Sequence, residues 1–118
     1  MKYMLLIYMH ENAMNEAERQ QCYGDSMALC RELASKDQFL GANPLQPVAT
    51  ATSVRMREGK RMITDGPFAE TREQLGGYFL VDVPDLDAAL NIASRIPGAK
   101  KGTVEVRPVI EIPGVPKT

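Results

Sequence analysis

Residues 3–9 read YMLLIYM, and every one of them is apolar or aromatic. Successive side chains of a β-strand point to opposite faces, so this run predicts a strand that is hydrophobic on both faces. Leu5 and Ile7 point to one face, and Leu6 and Tyr8 point to the other. Both faces of this first strand therefore need a covering layer.

Two helices follow along the chain. Asn15 and Glu18 have the spacing of a capping box, which predicts a helix from about Glu16 to Lys36. Gly24 interrupts this helix, and a close approach to the sheet is the expected reason for it. The second helix is predicted to begin after Pro84 and Asp85 and to stop at residues 97–98.

The remaining segments predict strands and turns. Residues 39–51 contain one glycine and two prolines and predict an irregular connection, and alternating residues around Glu58 to Lys60 predict a hairpin. Residues 77–83, GYFLVDV, repeat the apolar character of the first strand. The segment beginning at Thr103 predicts a last, half-buried strand that Pro108 confines to a sheet edge or to its own end.

This order predicts a single α+β domain over residues 1–118. The predicted elements follow in the order strand, helix, hairpin, strand, helix, strand. This order gives two split βαβ halves, which is the ferredoxin-like arrangement with an extra hairpin strand and an antiparallel sheet. Two helices cover one face of such a sheet. The second layer on the other face must then come from another copy of the chain, so we expect a homodimer joined through its sheet faces.

Composition excludes several classes of partner. Fourteen Lys and Arg residues against fifteen Asp and Glu give a net charge of -1, which lacks the basic field of a nucleic-acid-binding protein. The apolar run of seven residues is far shorter than the roughly 20 that span a bilayer, so no membrane association is expected. Cys22 and Cys30 lie roughly 12 Å apart on the predicted helix. A disulfide between them is excluded, and reduced thiols favour a cytoplasmic location.

One segment carries a specific resemblance. Residues 65–77 read DGPFAETREQLGG, and the chain resembles the YCII-related family in the branch named for its Asp-Gly-Pro-Phe (DGPF) signature. The likeness extends to the opening KYMLLIY, to ATATSVR, to VDVPDLDAAL and to VEVRPV. Arg72 stands where the family pattern usually has Lys, which keeps the charge but changes the geometry.

The resemblance implies a dimeric α/β barrel from bacteria, often encoded near extracytoplasmic-function sigma factors. It also implies a pocket in which related proteins use a His and Asp pair, and at least one relative acts on a chlorinated hydroquinone. No cofactor is implied. Metal binding by His10, Glu11 and Asp65 lacks a ligand spacing that would support it.

Asp65 is the first candidate for chemistry. A carboxylate at a strand end beside a buried Phe68 ring would have a raised pKa and could act as an acid or a base near neutral pH. Asp-Gly-Pro is equally ordinary turn chemistry, in which Gly66 supplies a positive φ and Pro67 fixes the exit of the chain. Both interpretations stay open at this point.

His10, the one histidine, follows the first strand and is the second catalytic candidate. It would meet Asp65 if the second arm of the hairpin ran parallel to the first strand, and the two would be apart if the first arm took that place. Glu70, Arg72 and Glu73 are candidates for binding an anionic or phenolic ligand, with a solvated turn as the alternative. Gly66, Pro67, Phe68 and Tyr78 complete the candidate ligand-binding set.

Two functions follow from these residues. The first is a small-molecule enzyme that acts on a small aromatic or carbonyl compound by acid/base chemistry centred on Asp65. The second is a non-catalytic module that binds a ligand or a regulatory protein, because the sequence contains no complete nucleophile, metal or cofactor constellation.

Overall fold

The computed structural model describes residues 1–69 and 71–116. Its strands are β1 Lys2–Met9, β2 Phe39–Pro44, β3 Thr52–Arg57, β4 Lys60–Asp65, β5 Gln74–Asp82 and β6 Thr103–Pro108. Its α-helices are α1 Glu16–Ser35 and α2 Leu86–Arg95, with short 3-10 turns at Val48–Thr50 and Pro97–Lys100. No helix in this described part of the chain has the length and apolar character that crossing a membrane requires.

Four strands form one antiparallel sheet in the order β2-β5-β1-β6. With α1 between β1 and β2, and α2 between β5 and β6, this is the ferredoxin-like order of two split βαβ halves. The predicted fold class is confirmed, including the additional hairpin. The last strand lies at a sheet edge and ends at Pro108, also as predicted.

The prediction of an irregular connection over residues 39–51 was wrong for its first part. Phe39–Pro44 forms β2, the edge strand that pairs with β5. Pro44 is tolerated because it is the last residue of an edge strand. Its missing N–H group does not remove a hydrogen bond from the centre of the sheet. The two arms of the hairpin pair only with each other as a separate two-stranded sheet, so neither arm lies beside β1.

The hydrophobic core lies between the sheet and the two helices. Tyr3 and Leu5 of β1 and Phe79 of β5 are buried against residues of both helices, such as Leu33 and Ile92. Both helices therefore cover the same face, as predicted. Even-numbered β1 residues, including Leu6, point to the opposite face, which we call the open face.

Local signals at the helix ends match the structure closely. The Asn15 side chain accepts a hydrogen bond from the Glu18 N–H at 2.8 Å, and the Glu18 carboxylate accepts one from the Asn15 N–H at 3.1 Å. This capping box starts α1 at its predicted first residue. Cys22 and Cys30 are free thiols on this same helix, which confirms that they form no disulfide with each other.

The two glycines near the start of β5 have the structural roles that the sequence suggests. Ile7 pairs with Gly77 and Tyr8 pairs with Leu75, so Gly76 is the extra residue of a β-bulge. A Cβ atom on Gly77 would lie 3.0 Å from the Asn43 carbonyl oxygen, a tighter contact than most Cβ atoms make. The bulge redirects the chain as it enters the sheet.

Candidate functional site

A cavity of about 750 Å³ lies between α1 and one end of the sheet. It is bordered by the ends of β1 and β2, by the start of β5 and by the loop that follows β2. Volumes of this size are typical of sites for small organic molecules. We call it the α1–sheet cavity.

The cavity lies below a part of α1 that buries few of its residues against the sheet. The buried residues of α1, Leu29 and Leu33, both lie in its second half, where the helix packs tightly on the strands. Cys22 and Ser26 precede them, Cys30 lies between them, and all three border the cavity. These short side chains recur every four residues on one helix face and leave the space below them unfilled.

The wall of the cavity is mainly apolar and rich in sulfur. Three methionines and both cysteines contribute to it: Met9, Met14, Cys22, Met27 and Cys30. Methionine side chains adapt to irregular shapes and make favourable contacts with aromatic rings. Burial raises the pKa of both cysteine thiols, so the thiols stay protonated near neutral pH and are weak nucleophiles.

Polar groups gather at the mouth of the cavity. His10 Nδ1 accepts a hydrogen bond from the Asn12 N–H at 3.1 Å, so the neutral imidazole carries its proton on Nε2. Glu11 Oε1 accepts a hydrogen bond from the Val48 N–H at 2.6 Å and ties the loop after β1 to the turn after β2. His10 is exposed, which leaves its Nε2–H free to donate to a ligand.

Tyr78 links the cavity to the open face. It borders the cavity, and it pairs with Leu6, which places its side chain on the open face. The Asn43 side-chain amide donates a hydrogen bond to the Tyr78 hydroxyl at 3.0 Å. Of the residues predicted from sequence to bind a ligand or to act in catalysis, His10 and Tyr78 border the cavity.

The DGPF segment lies elsewhere, at the base of the β3–β4 hairpin. Asp65 is the last residue of β4, and Gly66 has a φ of 96°, the left-handed conformation expected for this turn. The Gly66 N–H donates to the Ala51 carbonyl at 2.8 Å, and Ser53 Oγ donates to the Gly66 carbonyl at 2.9 Å. These bonds close the hairpin at its base.

The environment expected for Asp65 differs from the observed one. Phe68 is 72% exposed, with the Arg55 guanidinium 4.6 Å from its ring centre, so the expectation of a buried ring beside Asp65 was wrong for the single chain. Asp65, Gly66, Pro67 and Phe68 are absent from the cavity wall. In residues 1–69 and 71–116, no hydrogen bond involves the Asp65 carboxylate, and none joins it to His10.

The remaining predicted residues follow the DGPF segment. Arg72 is exposed in a turn in which Gln74 Nε2 donates to the Thr71 carbonyl at 2.7 Å. Glu70 lies outside the described residues. The carboxylate of Glu73 accepts a hydrogen bond from Thr103 Oγ1 at 2.8 Å and fastens this turn to β6.

Metal chemistry finds no support in the described ranges, where no group of three or more His, Cys, Asp and Glu residues is placed to hold an ion. The residues that sequence reasoning missed are those of the cavity wall on α1, above all Cys22, Ser26 and Met27. Their signal was the run of small side chains at sheet-facing positions of a helix, where aliphatic residues are usual.

Comparison with known proteins agrees with this fold. The sequence matches the YCII-related domain over residues 1–113. It is also 34% identical over 114 residues to an uncharacterized protein of Rhizobium meliloti (strain 1021), and the match covers 92% of each chain. The family match extends over β1, both helices and β6. The chain belongs to the YCII-related family.

Proposed function

We propose that this protein binds a small, mainly apolar organic molecule in the α1–sheet cavity. The observation that carries the proposal is a cavity of about 750 Å³ with a sulfur-rich apolar wall and a hydrogen-bond donor, His10 Nε2–H, at its mouth. An aromatic ring suits the methionine and cysteine wall, and a carbonyl or phenolic oxygen suits the donor. The ligand class is therefore a small aromatic or carbonyl compound.

Binding can be tested with anilinonaphthalene sulfonate, an aromatic anion that fluoresces in apolar sites. Ser26→Phe places a ring in the cavity, and Ala28→Phe places the same ring on an exposed position of the same helix outside the cavity. We expect Ser26→Phe to weaken binding at least tenfold and Ala28→Phe to leave it unchanged. Equal binding by both variants would show that the dye occupies another surface and would refute the proposal.

Acid/base catalysis is a second candidate function, and the position of His10 favours it. Its tautomer is set by the Asn12 N–H, which is how proteins orient a histidine for proton transfer. Asp65 lies outside the cavity wall, so it is proposed as a separate proton carrier and is tested on its own variant. Deuterium incorporation next to the carbonyl of cyclohexanone, followed by NMR, would fall in both His10→Gln and Asp65→Asn if these residues transfer the proton. Undiminished incorporation in both variants would refute the catalytic function. The protein would then be a binding protein without catalysis, as in an accessory module of a sigma-factor system.

Membership of the DGPF branch and a cytoplasmic location are also part of the proposal.

A homodimer joined through the open faces is a further part of the proposal. The chain is 19 Å thick along its shortest axis, which corresponds to one sheet layer and one helix layer. Half-buried Met4, Leu6, Tyr78 and Leu80 leave a largely apolar open face that neither helix reaches. A second sheet stacked on this face would complete its burial.

The edge of the open face is also self-complementary in charge. Glu105 pairs with Leu6 and Arg107 pairs with Met4, so both charged residues lie on the open face. Across a twofold axis, the Glu105 carboxylate of one copy can meet the Arg107 guanidinium of the other. Sedimentation should give a dimer for the wild-type chain and for Leu86→Gln, which alters an exposed α2 residue, and a monomer for Leu6→Gln. A wild-type monomer at micromolar concentration would refute the dimer.

A further inference from the structure

The β3–β4 hairpin is an arm with almost no packing against its own chain. Its strands are joined by the two-residue turn Glu58-Gly59, in which both residues have positive φ, and eleven of its twelve strand residues are exposed. The Cα radius of gyration is 15.9 Å, against about 13.5 Å for a compact chain of this length. An isolated two-stranded hairpin is only marginally stable in water.

The register separates the arm into two different faces. Val54 pairs with Ile63 and Met56 pairs with Arg61, so one face carries three apolar side chains beside Arg61. Val54, Met56 and Ile63 are 63%, 59% and 57% exposed, and we call this side the apolar face of the arm. Arg55, Arg57 and Lys60 lie on the other face. Phe68 of the same chain stacks on Arg55 of this basic face. The apolar face is the one that needs cover.

We propose that the arm reaches over a second copy of this chain and packs its apolar face on that copy. The proposal rests on the dimer described above and extends it, because the arm adds a second contact surface beside the open face. The open face offers four half-buried apolar side chains, whereas each partner of a standard interface contributes about 20–30 residues. The arm supplies the missing apolar area.

Charge favours a copy of the same chain as the partner. The arm holds four cations and two anions, whereas the rest of the chain holds ten cations and thirteen anions and has a net charge of -3. A positively charged arm is therefore attracted to the body of its partner. Dimerisation should weaken as salt is added, since these exposed charges are screened.

The arm is also continuous with the open face. The segment after its base reaches Glu73, whose carboxylate is bonded to Thr103 Oγ1 at 2.8 Å. Thr71, Glu73 and Thr103 border a shallow cleft together with Tyr8 and Glu105, and Glu105 lies on the open face. An arm that starts at the edge of one interface is placed to extend that interface.

The test compares dissociation constants by analytical ultracentrifugation. Val54→Thr with Ile63→Thr keeps two β-branched residues in the strands but removes the apolar contacts, and Met62→Thr makes a similar change on the basic face. We expect the double variant to raise the dimer dissociation constant about a hundredfold and Met62→Thr to change it less than threefold. Equal dissociation constants for the double variant and the wild type would overturn the role of the arm.

Proteolysis supplies an independent measurement, because trypsin cleaves after Arg55 and Arg61 of the arm. Mass spectrometry should show slower cleavage at these two sites in the wild-type dimer than in monomeric Leu6→Gln. Cleavage at the same rate in both would show that the arm is uncovered in the dimer and would overturn the proposal. A dimer that depends on Leu6 but is indifferent to the arm would retain the open-face interface and assign the arm to another partner.

Discussion

Gly24 and Gly102 respond in opposite ways to the same substitution. A Cβ atom on Gly24, in the middle of α1, meets no described atom within 4 Å, so the expected close approach to the sheet was wrong. Alanine at this position removes the low helix propensity of glycine without a clash and should stabilise the protein by about 1 kcal/mol. A Cβ atom on Gly102 would lie 2.0 Å from the Tyr8 carbonyl oxygen, so Gly102→Ala should cost at least about 2 kcal/mol.

Urea unfolding followed by circular dichroism measures both effects. With a slope of about 2 kcal/mol per molar urea, Gly24→Ala should raise the midpoint by about 0.5 M and Gly102→Ala should lower it by about 1 M or more. All samples need the same protein concentration, because dimerisation adds a concentration-dependent stabilisation. Dye binding should be retained in Gly24→Ala, since residue 24 does not border the cavity.

A lower midpoint for Gly24→Ala would refute this reasoning. It would mean that another molecule packs against α1 at residue 24, because the described part of the chain leaves that position open. An unchanged midpoint for Gly102→Ala would contradict the close approach of the segment before β6 to the end of β1.

Two further predictions concern titratable groups. The two hydrogen bonds from Arg95, at 2.5 and 2.6 Å, lower the pKa of Glu32 to about 2 from its ordinary 4.5. The resulting stabilisation is present above about pH 4.5 and is lost as the pH falls toward 2, so the melting temperature should drop less over this interval in Glu32→Gln than in the wild type. For Cys22 and Cys30, burial raises the thiol pKa, and iodoacetamide should label both more slowly at pH 8 in the folded protein than in urea. Labelling at the same rate in both conditions would contradict a protonated, shielded thiol pair.

Several elements were predictable because their signals are local. The capping box of Asn15 and Glu18 starts α1, and the Glu58-Gly59 turn aligns β3 with β4, through contacts within a few residues. The alternation in residues 3–9 placed Leu5 in the core and Leu6 on the open face. Hydrogen bonding and side-chain alternation over short distances suffice for such features.

Other elements depend on contacts between distant residues. β2 contains Gly41 and Pro44, which locally favour a turn, and it forms a strand because β5, more than thirty residues later, supplies its hydrogen-bond partners. Because β2 pairs with β5, the hairpin has no place in the main sheet and forms a separate two-stranded sheet. On sequence grounds, the distance between His10 and Asp65 depended on which arm of the hairpin joins the main sheet. Neither arm joins it, because β2 occupies that place beside β5.

The sequence by itself determined the order of the elements apart from β2, the ends of the helices, the two hydrophobic faces of β1 and the family. Only the tertiary structure decided that α1 buries no residue over its first half, that a cavity bordered by His10 opens beside it, and that the DGPF segment lies at the base of a projecting arm. The reason is that a periodic pattern specifies which side of an element is apolar. The distance between two packed elements depends on the sizes of side chains from both of them, and these meet only in the folded chain.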